Sequence, residues 1–278
     1  MLATLVIFLR EGVEASMIIA ILLAYLDRTG QRQYFRDVFV GVGAALVLAG
    51  GGGVIAYRTV KEYDGSRAQT IFETCTYLLA AVVLTYMTFW MRTHARGLSA
   101  HLRARTDAAV SGRARTGMAL LAFQAVGREG LETVVFTLAI LFSSTHAGGA
   151  LPGALIGLAI ALVIAFVIYR LGHRLNLGKF FSIIGALLMV FAAGLLVDAV
   201  QNMQELGWLP GSGNQLWHTG GILSEDTTVG DMLHSFFGYA DSPTLLQAVV
   251  YVLYLAIALL TFFGVWKRIR RHAGAAPA

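Results

Sequence analysis

The sequence predicts an all-α, polytopic membrane protein with seven transmembrane helices, and three observations predict it. Hydrophobic residues make up 57% of the 278 residues and charged residues only 13%, about half the charged share of an ordinary soluble domain. The mean hydropathy is +0.68. The apolar residues also gather into runs of roughly 20 or more, the length a helix needs to cross a bilayer. The basic residues sort into the connections. The net charge of +5 therefore reflects orientation in a membrane, not a nucleic-acid partner.

In order, the spans fall at about 2–26, 38–57, 70–91, 116–142, 150–169, 180–201 and 245–266. The first has no basic leader, and Arg10, Glu11 and Glu14 interrupt it, so it reads as a retained helix and not a signal peptide. The second is clean, ends at Tyr57-Arg58 and carries the Gly50 to Gly53 patch, which permits close helix approach or ends a helix. The third has Glu73 near its start, and Met87 and Met91 one turn apart. Thioethers this sparse read as packing, not a soft-metal path. The fourth holds Arg128, Glu129 and Glu132. The fifth is clean and ends at Tyr169-Arg170; the sixth ends with Asp198 and Gln201; the seventh is clean.

Lys and Arg fix the orientation. Arg28, Arg32 and Arg36, the arginines of 92–115, Arg170, Arg174 and Lys179, and the Lys267 to Arg271 tail share one side. The other side has only Arg58, Lys61 and Arg67. The positive-inside rule then puts the N-terminus outside and the C-terminus in the cytoplasm. The long outer connection 202–244 carries Glu205, Glu225, Asp226, Asp231 and Asp241 with no Lys or Arg. It is a solvated loop or an acidic vestibule that concentrates cations, and Val229 to Phe237 reads as a short surface helix.

The first triplet of spans starts outside and the second starts inside, and a charged motif opens each. This is the pattern of an inverted repeat whose motif helices meet near the membrane midplane. The organisation is a first three-helix repeat at 1–91, a basic cytoplasmic loop at 92–115 and a second repeat at 116–201. An acidic outer loop at 202–244, a seventh helix at 245–266 and a basic tail at 267–278 complete it.

The motifs read Arg10-Glu11-Gly12-Val13-Glu14 and Arg128-Glu129-Gly130-Leu131-Glu132. Charges in hydrocarbon cost a few kcal/mol each, roughly, so they are paired and mark substrate or ion paths. Positions i, i+3 and i+4 share a helix face, so each helix presents one arginine and two carboxylates together. Four carboxylates against two arginines suit a hard, highly charged cation such as iron, manganese, calcium or magnesium. Glu11, Glu14, Glu129 and Glu132 are the candidate metal ligands, with Arg10 and Arg128 as supports. Glu73 and Asp198 are further candidates from other spans. A purely structural ion-pair lock is the bland reading, and it fits the arginines better than the glutamates they cannot all satisfy.

Other chemistries are disfavoured. The single Cys75 allows no intrachain disulfide and no cysteine-ligated cluster. A di-iron or di-manganese enzyme prefers Glu-x-x-His pairs on its helices, and His94, His101, His146, His173, His218, His234 and His272 all fall in predicted loops or tails. No phosphate-binding Gly-x-x-x-x-Gly-Lys-Ser/Thr loop is present.

With these motifs the chain resembles the oxidase-dependent iron transporters, the high-affinity iron permeases of fungi and bacteria, and most of all the bacterial ferrous iron permeases of elemental ferrous uptake. Phe72-Glu73, Phe89-Trp90-Met91-Arg92, Arg174-Leu175-Asn176-Leu177-Gly178 and Phe236-Phe237-Gly238-Tyr239 add to the likeness, which spans nearly the whole chain. The resemblance implies a permease, not an enzyme. It implies import of Fe2+ or Fe3+ across the bacterial inner membrane, as the ferric ion after oxidation outside. Iron is then the transported substrate, with no tightly bound cofactor. The implied partners are a periplasmic iron-binding or cupredoxin-type protein and a haem peroxidase-like iron oxidase, with membrane lipid around it and a homo-oligomer open. Transport of another divalent metal such as lead or manganese is the alternative. A membrane metalloenzyme that oxidises iron without moving it is the rival from another class.

Overall fold

The computed structural model describes residues 1–63, 65–94, 114–144, 147–171 and 177–273. Most of the basic connection 92–115, the Arg174-Leu175-Asn176 part of its motif, and His101, His146 and His173 lie outside the described residues. The chain is all-α, and the helices fall where the apolar runs put them. They are α1 (Leu2–Arg28), α2 (Phe35–Lys61), α3 (Arg67–His94), α4 (Ala114–Ser143), α5 (Ala150–Leu171), α6 (Leu177–Glu205), the short α7 (Thr228–Phe237) and α8 (Leu245–Ala273). Among the described residues, five segments are long and apolar enough to cross a membrane on composition: Arg32–Lys61, Arg67–Met91, Ala150–Val167, Phe180–Glu205 and Leu245–Gly264. Helices α1 and α4 are as long, at 27 and 30 residues, and carry the charged motifs.

The outer surface is apolar, as a lipid-facing surface must be. Val47 is 76% exposed and Leu260 74%, values that water would penalise and hydrocarbon does not.

The chain divides into two compact units. The first comprises Met1–Gln69, Thr93–Phe142 and His146–Gly178, and so holds α1, α2, most of α4, and α5. Ile18, Leu22 and Leu26 of α1 pack with Val38 of α2 and with Met118, Leu121 and Ala122 of α4 in one buried cluster. Glycines bring the backbones together. A Cβ on Gly41 of α2 would fall 2.1 Å from the Ala119 carbonyl oxygen of α4. On Gly153 of α5 it would fall 2.3 Å from the Met1 carbonyl oxygen at the start of α1. Only glycine fits such contacts. The motif glycines behave alike: Gly12 of α1 meets the Ala161 Cβ of α5, and Gly130 of α4 meets the Ala49 Cβ of α2.

The second unit comprises Thr70–Arg92, Ser143–Thr145 and Lys179–Ala278. Its core joins Met189 of α6 to Ala258 and Phe262 of α8, with Phe89 of α3 edge-on to Phe262 at 5.9 Å between centroids. The connection 206–244 is folded, not a bare solvated loop. Leu216 N–H donates to the Pro243 carbonyl at 2.9 Å, Thr219 N–H to the Asp241 carbonyl at 2.8 Å, and the Tyr239 hydroxyl to the Leu223 carbonyl at 2.9 Å. Helix α7 covers the Val229 to Phe237 stretch expected as helical. The Thr227 hydroxyl caps its N-terminus by accepting from Gly230 N–H at 3.0 Å, as an N-cap threonine does. Gly238 ends it in the left-handed conformation, φ +66. Gly238 lies backbone to backbone on Gly194 of α6, where a Cβ would come within 2.5 Å. That contact seats α7 on α6 one turn before Asp198.

Candidate metal centre

Helix α1 positions the first motif and helix α4 the second, both in the first unit. Arg10 Nη1 donates to Glu11 Oε1 at 2.7 Å, and its Nε lies 3.1 Å from Glu14 Oε1. The i, i+4 pair was expected from helical spacing; the i, i+1 pair was not, since adjacent residues do not share a face. The length of the arginine side chain lets it reach both neighbours. Arg128 repeats the pattern more loosely, with Nε 3.5 Å from Glu129 Oε1 and 3.1 Å from Glu132 Oε1.

Three of the four motif glutamates converge. Glu11, Glu14 and Glu129 each bring a carboxylate oxygen within 4.8 Å of the other two, and all three are buried. Glu132 lies beside the group, its charge within reach of Arg10, and is not among the three. Glu11 Oε2, Glu129 Oε2 and Glu132 Oε2 are buried without a hydrogen-bond partner among the described residues. An unmet buried polar atom costs about 1–3 kcal/mol, more when charged, so this cluster is poor as a structural lock. It is well suited to a cation: an all-oxygen, anionic donor set is what hard metal ions take.

An apolar cavity of about 500 Å³ abuts the cluster and is lined by Glu11, Glu129, Gly50, Gly53, Thr133 and Val134, among others. The glycines of the 50–53 patch therefore open space beside the carboxylates rather than ending α2.

Glu73 and Asp198 fall in the second unit, as do α3 and α6. Glu73 is half-buried and Asp198 is buried, and Tyr77 lies in electrostatic reach of both. Asp198 meets a histidine from the outer connection. His234 of α7 approaches it with Nε2 3.5 Å from Asp198 Oδ1. The other ring nitrogen, Nδ1, is 2.8 Å from the Tyr239 carbonyl and 3.7 Å from Glu225 Oε2. Burial opposes protonation of His234, but the Asp198 and Glu225 carboxylates outweigh it and hold the imidazole above its usual pKa. The available signal was the amphipathic Val229 to Phe237 stretch, which carries Asp231 and His234 one turn apart on a shared face.

Known proteins resemble this chain over nearly its whole length. The model of the iron permease FTR1 family matches residues 1–270. The ferrous iron permease EfeU of Yersinia pestis is 36% identical over 265 residues, covering 95% of this chain and 93% of the relative. That of Yersinia pseudotuberculosis serotype I (strain IP32953) is 37% identical over 268 residues, with 95% and 93% covered. The ferrous iron permease EfeU of Escherichia coli O6:K15:H31 (strain 536 / UPEC) is 34% identical over 264 residues, with 94% and 95% covered. No solved structure matches the chain.

Proposed function

From the membership of this chain in the iron permease FTR1 family, we propose that it imports iron across the bacterial inner membrane through the carboxylates of its two motifs. The observation that carries this is the convergence of Glu11, Glu14 and Glu129 from two helices. Glu132 completes the anionic set beside them, and Arg10 and Arg128 limit its charge. Transport, not turnover, is the activity. Glu73 and Asp198 serve the same ion elsewhere along its path. The oxygen donor set suits manganese as well as iron, so the test must include it.

The topology that goes with this reading has seven spans, an outer N-terminus, a cytoplasmic C-terminus and an inverted repeat of α1–α3 on α4–α6. Glycine contacts support the repeat. Aligning the two motifs puts Gly12 opposite Gly130 and Met1 opposite Ala119; aligning Tyr57-Arg58 with Tyr169-Arg170 puts Gly41 opposite Gly153 and Ala49 opposite Ala161. The contacts pair accordingly: Gly41 on Ala119 and Gly153 on Met1, Gly12 on Ala161 and Gly130 on Ala49. Each triplet also gives its first two helices to one unit and its third to the other. A cupredoxin-type iron-binding protein and a haem peroxidase-like oxidase deliver the ion on the outer side in this reading, and copurification from the native membrane tests that.

The decisive experiment is radioactive iron uptake into sealed proteoliposomes, with iron supplied as Fe2+ or Fe3+ and with Mn2+ and Pb2+ as competitors. Iron accumulation that collapses in Glu11→Gln and Glu129→Gln at normal protein content is the expected result. Wild-type uptake by every one of the four glutamate variants would falsify the assignment. Preferential accumulation of Mn2+ or Pb2+ would replace iron with that metal.

A further inference from the structure

We propose that Asp198 and His234 form a second cation site, built on α6 and α7 and not on the motif helices, which takes a first-row divalent ion such as Fe2+. The argument begins with the imidazole. Its Nδ1 lies 2.8 Å from the Tyr239 carbonyl oxygen. A carbonyl only accepts, so Nδ1 carries the proton. To bind a metal the ring gives up its Nε2 proton, and Nε2 then presents a lone pair.

That lone pair faces Asp198 Oδ1 at 3.5 Å. Asp198 is only 6% exposed, and Oδ1 is buried with no hydrogen-bond partner among the described residues. Across this gap something positive lies between Nε2 and the carboxylate, either a proton on Nε2 or a metal ion. The separation is the bite of a metal ion: ligands about 2.1 Å from an ion and about 110° apart sit ~3.4 Å from each other. A third donor is at hand. The buried Ser143 hydroxyl lies within hydrogen-bonding reach of the Asp198 carboxyl.

The surroundings hold the ring as metal-bound histidines are held. A ligating imidazole donates its second N–H to a carbonyl or carboxylate, which fixes its tautomer and orientation. Here the Tyr239 carbonyl accepts, with Glu225 Oε2 at 3.7 Å on the same side. Glu225 is itself anchored, because its Oε1 accepts from Asp241 N–H at 2.6 Å. The Thr227 and Gly238 caps and the Gly194 contact fix α7, so the donors need not move to meet an ion. A nitrogen–oxygen pair favours iron, manganese, cobalt or zinc over calcium or magnesium, which prefer oxygen alone.

The nitrogen donor makes the site spectroscopically distinct from the glutamate cluster, whose donors are all oxygen. The full chain, purified in detergent and loaded with Mn2+, is examined by pulsed electron paramagnetic resonance for coupling to an imidazole 14N nucleus. The wild type shows that coupling, and both His234→Gln and Asp198→Asn remove it. Absence of imidazole coupling in the wild type at saturating Mn2+ overturns the proposal, as does coupling that persists in His234→Gln. A proton shared between the two side chains is then what the gap holds. The wild-type measurement stands even if a variant fails to fold. Oxygen-only Mn2+ reports the glutamate cluster separately, so loss of that signal bears on the transport reading and not on this site.

Discussion

The two motifs share their residues and their spacing, yet the first is sealed and the second is open on one side. Arg10 is 2% exposed and reaches its glutamates through two different nitrogens, at 2.7 and 3.1 Å. The Arg128 side chain is 49% accessible, and its Nε lies 3.5 and 3.1 Å from its glutamates. The glutamates divide in the same way, Glu14 inside the converging group and Glu132 at its edge. Local spacing therefore dictates who pairs with whom, and the packing around each motif dictates how tightly. The same five-residue pattern yields a rigid half and an accommodating half.

The largest effect should separate position-matched glutamates. Glu14→Gln is expected to reduce iron uptake to background, whereas Glu132→Gln weakens apparent affinity on the order of tenfold, as loss of a supporting group around a metal does. Equal losses at the two positions would erase the functional side of the contrast. The arginines come next. Arg10→Leu leaves two buried carboxylates uncompensated and should cost about 3–5 kcal/mol, seen as a large fall in melting temperature in detergent. Arg128→Leu should cost less than Arg10→Leu, because Arg128 is itself half accessible and holds its largely buried partners Glu129 and Glu132 less closely. Matching melting temperatures would mean that burial does not govern the pairing energy. The smallest contrast is at the motif glycines. Gly12→Ala and Gly130→Ala crowd Ala161 and Ala49 to 2.8 and 3.0 Å, and each should destabilise by about 1–3 kcal/mol. Gly127→Ala, whose Cβ would sit 3.7 Å from Ala45, should be nearly neutral in the same melt. A large difference between Gly12→Ala and Gly130→Ala would extend the asymmetry to the helix contacts.

Much of this was legible in the chain. Apolar runs located every long helix among the described residues, because a helix in lipid must satisfy its backbone internally over the full apolar length. Their ends ran past those runs, to Arg28 in α1 and Glu205 in α6, since the helical ladder continues into polar residues that hydropathy discounts. The i, i+4 pairs followed from helical geometry. The Arg10–Glu11 pair did not, nor did the different burial of the two arginines, which depends on what packs around each helix. His234 was hidden for another reason. Its partner Asp198 lies far off in sequence, and the Gly194–Gly238 contact and the Phe191–Phe236 stack bring α7 against α6 at that level.

The glycine contacts have a mechanical consequence. Gly41 rests on the α4 backbone and Gly153 on the backbone at the start of α1, with no side chain between them to deform. Packed surfaces without such cushions do not slide by fractions of an ångström; they stay registered or come apart. Any motion during a transport cycle must then carry α2 with α4, and α5 with α1, as paired rods. The hinges are to be sought in the segments that join those pairs, and the coordination geometry at Glu11, Glu14 and Glu129 changes only by the tilt of one rod pair against the other.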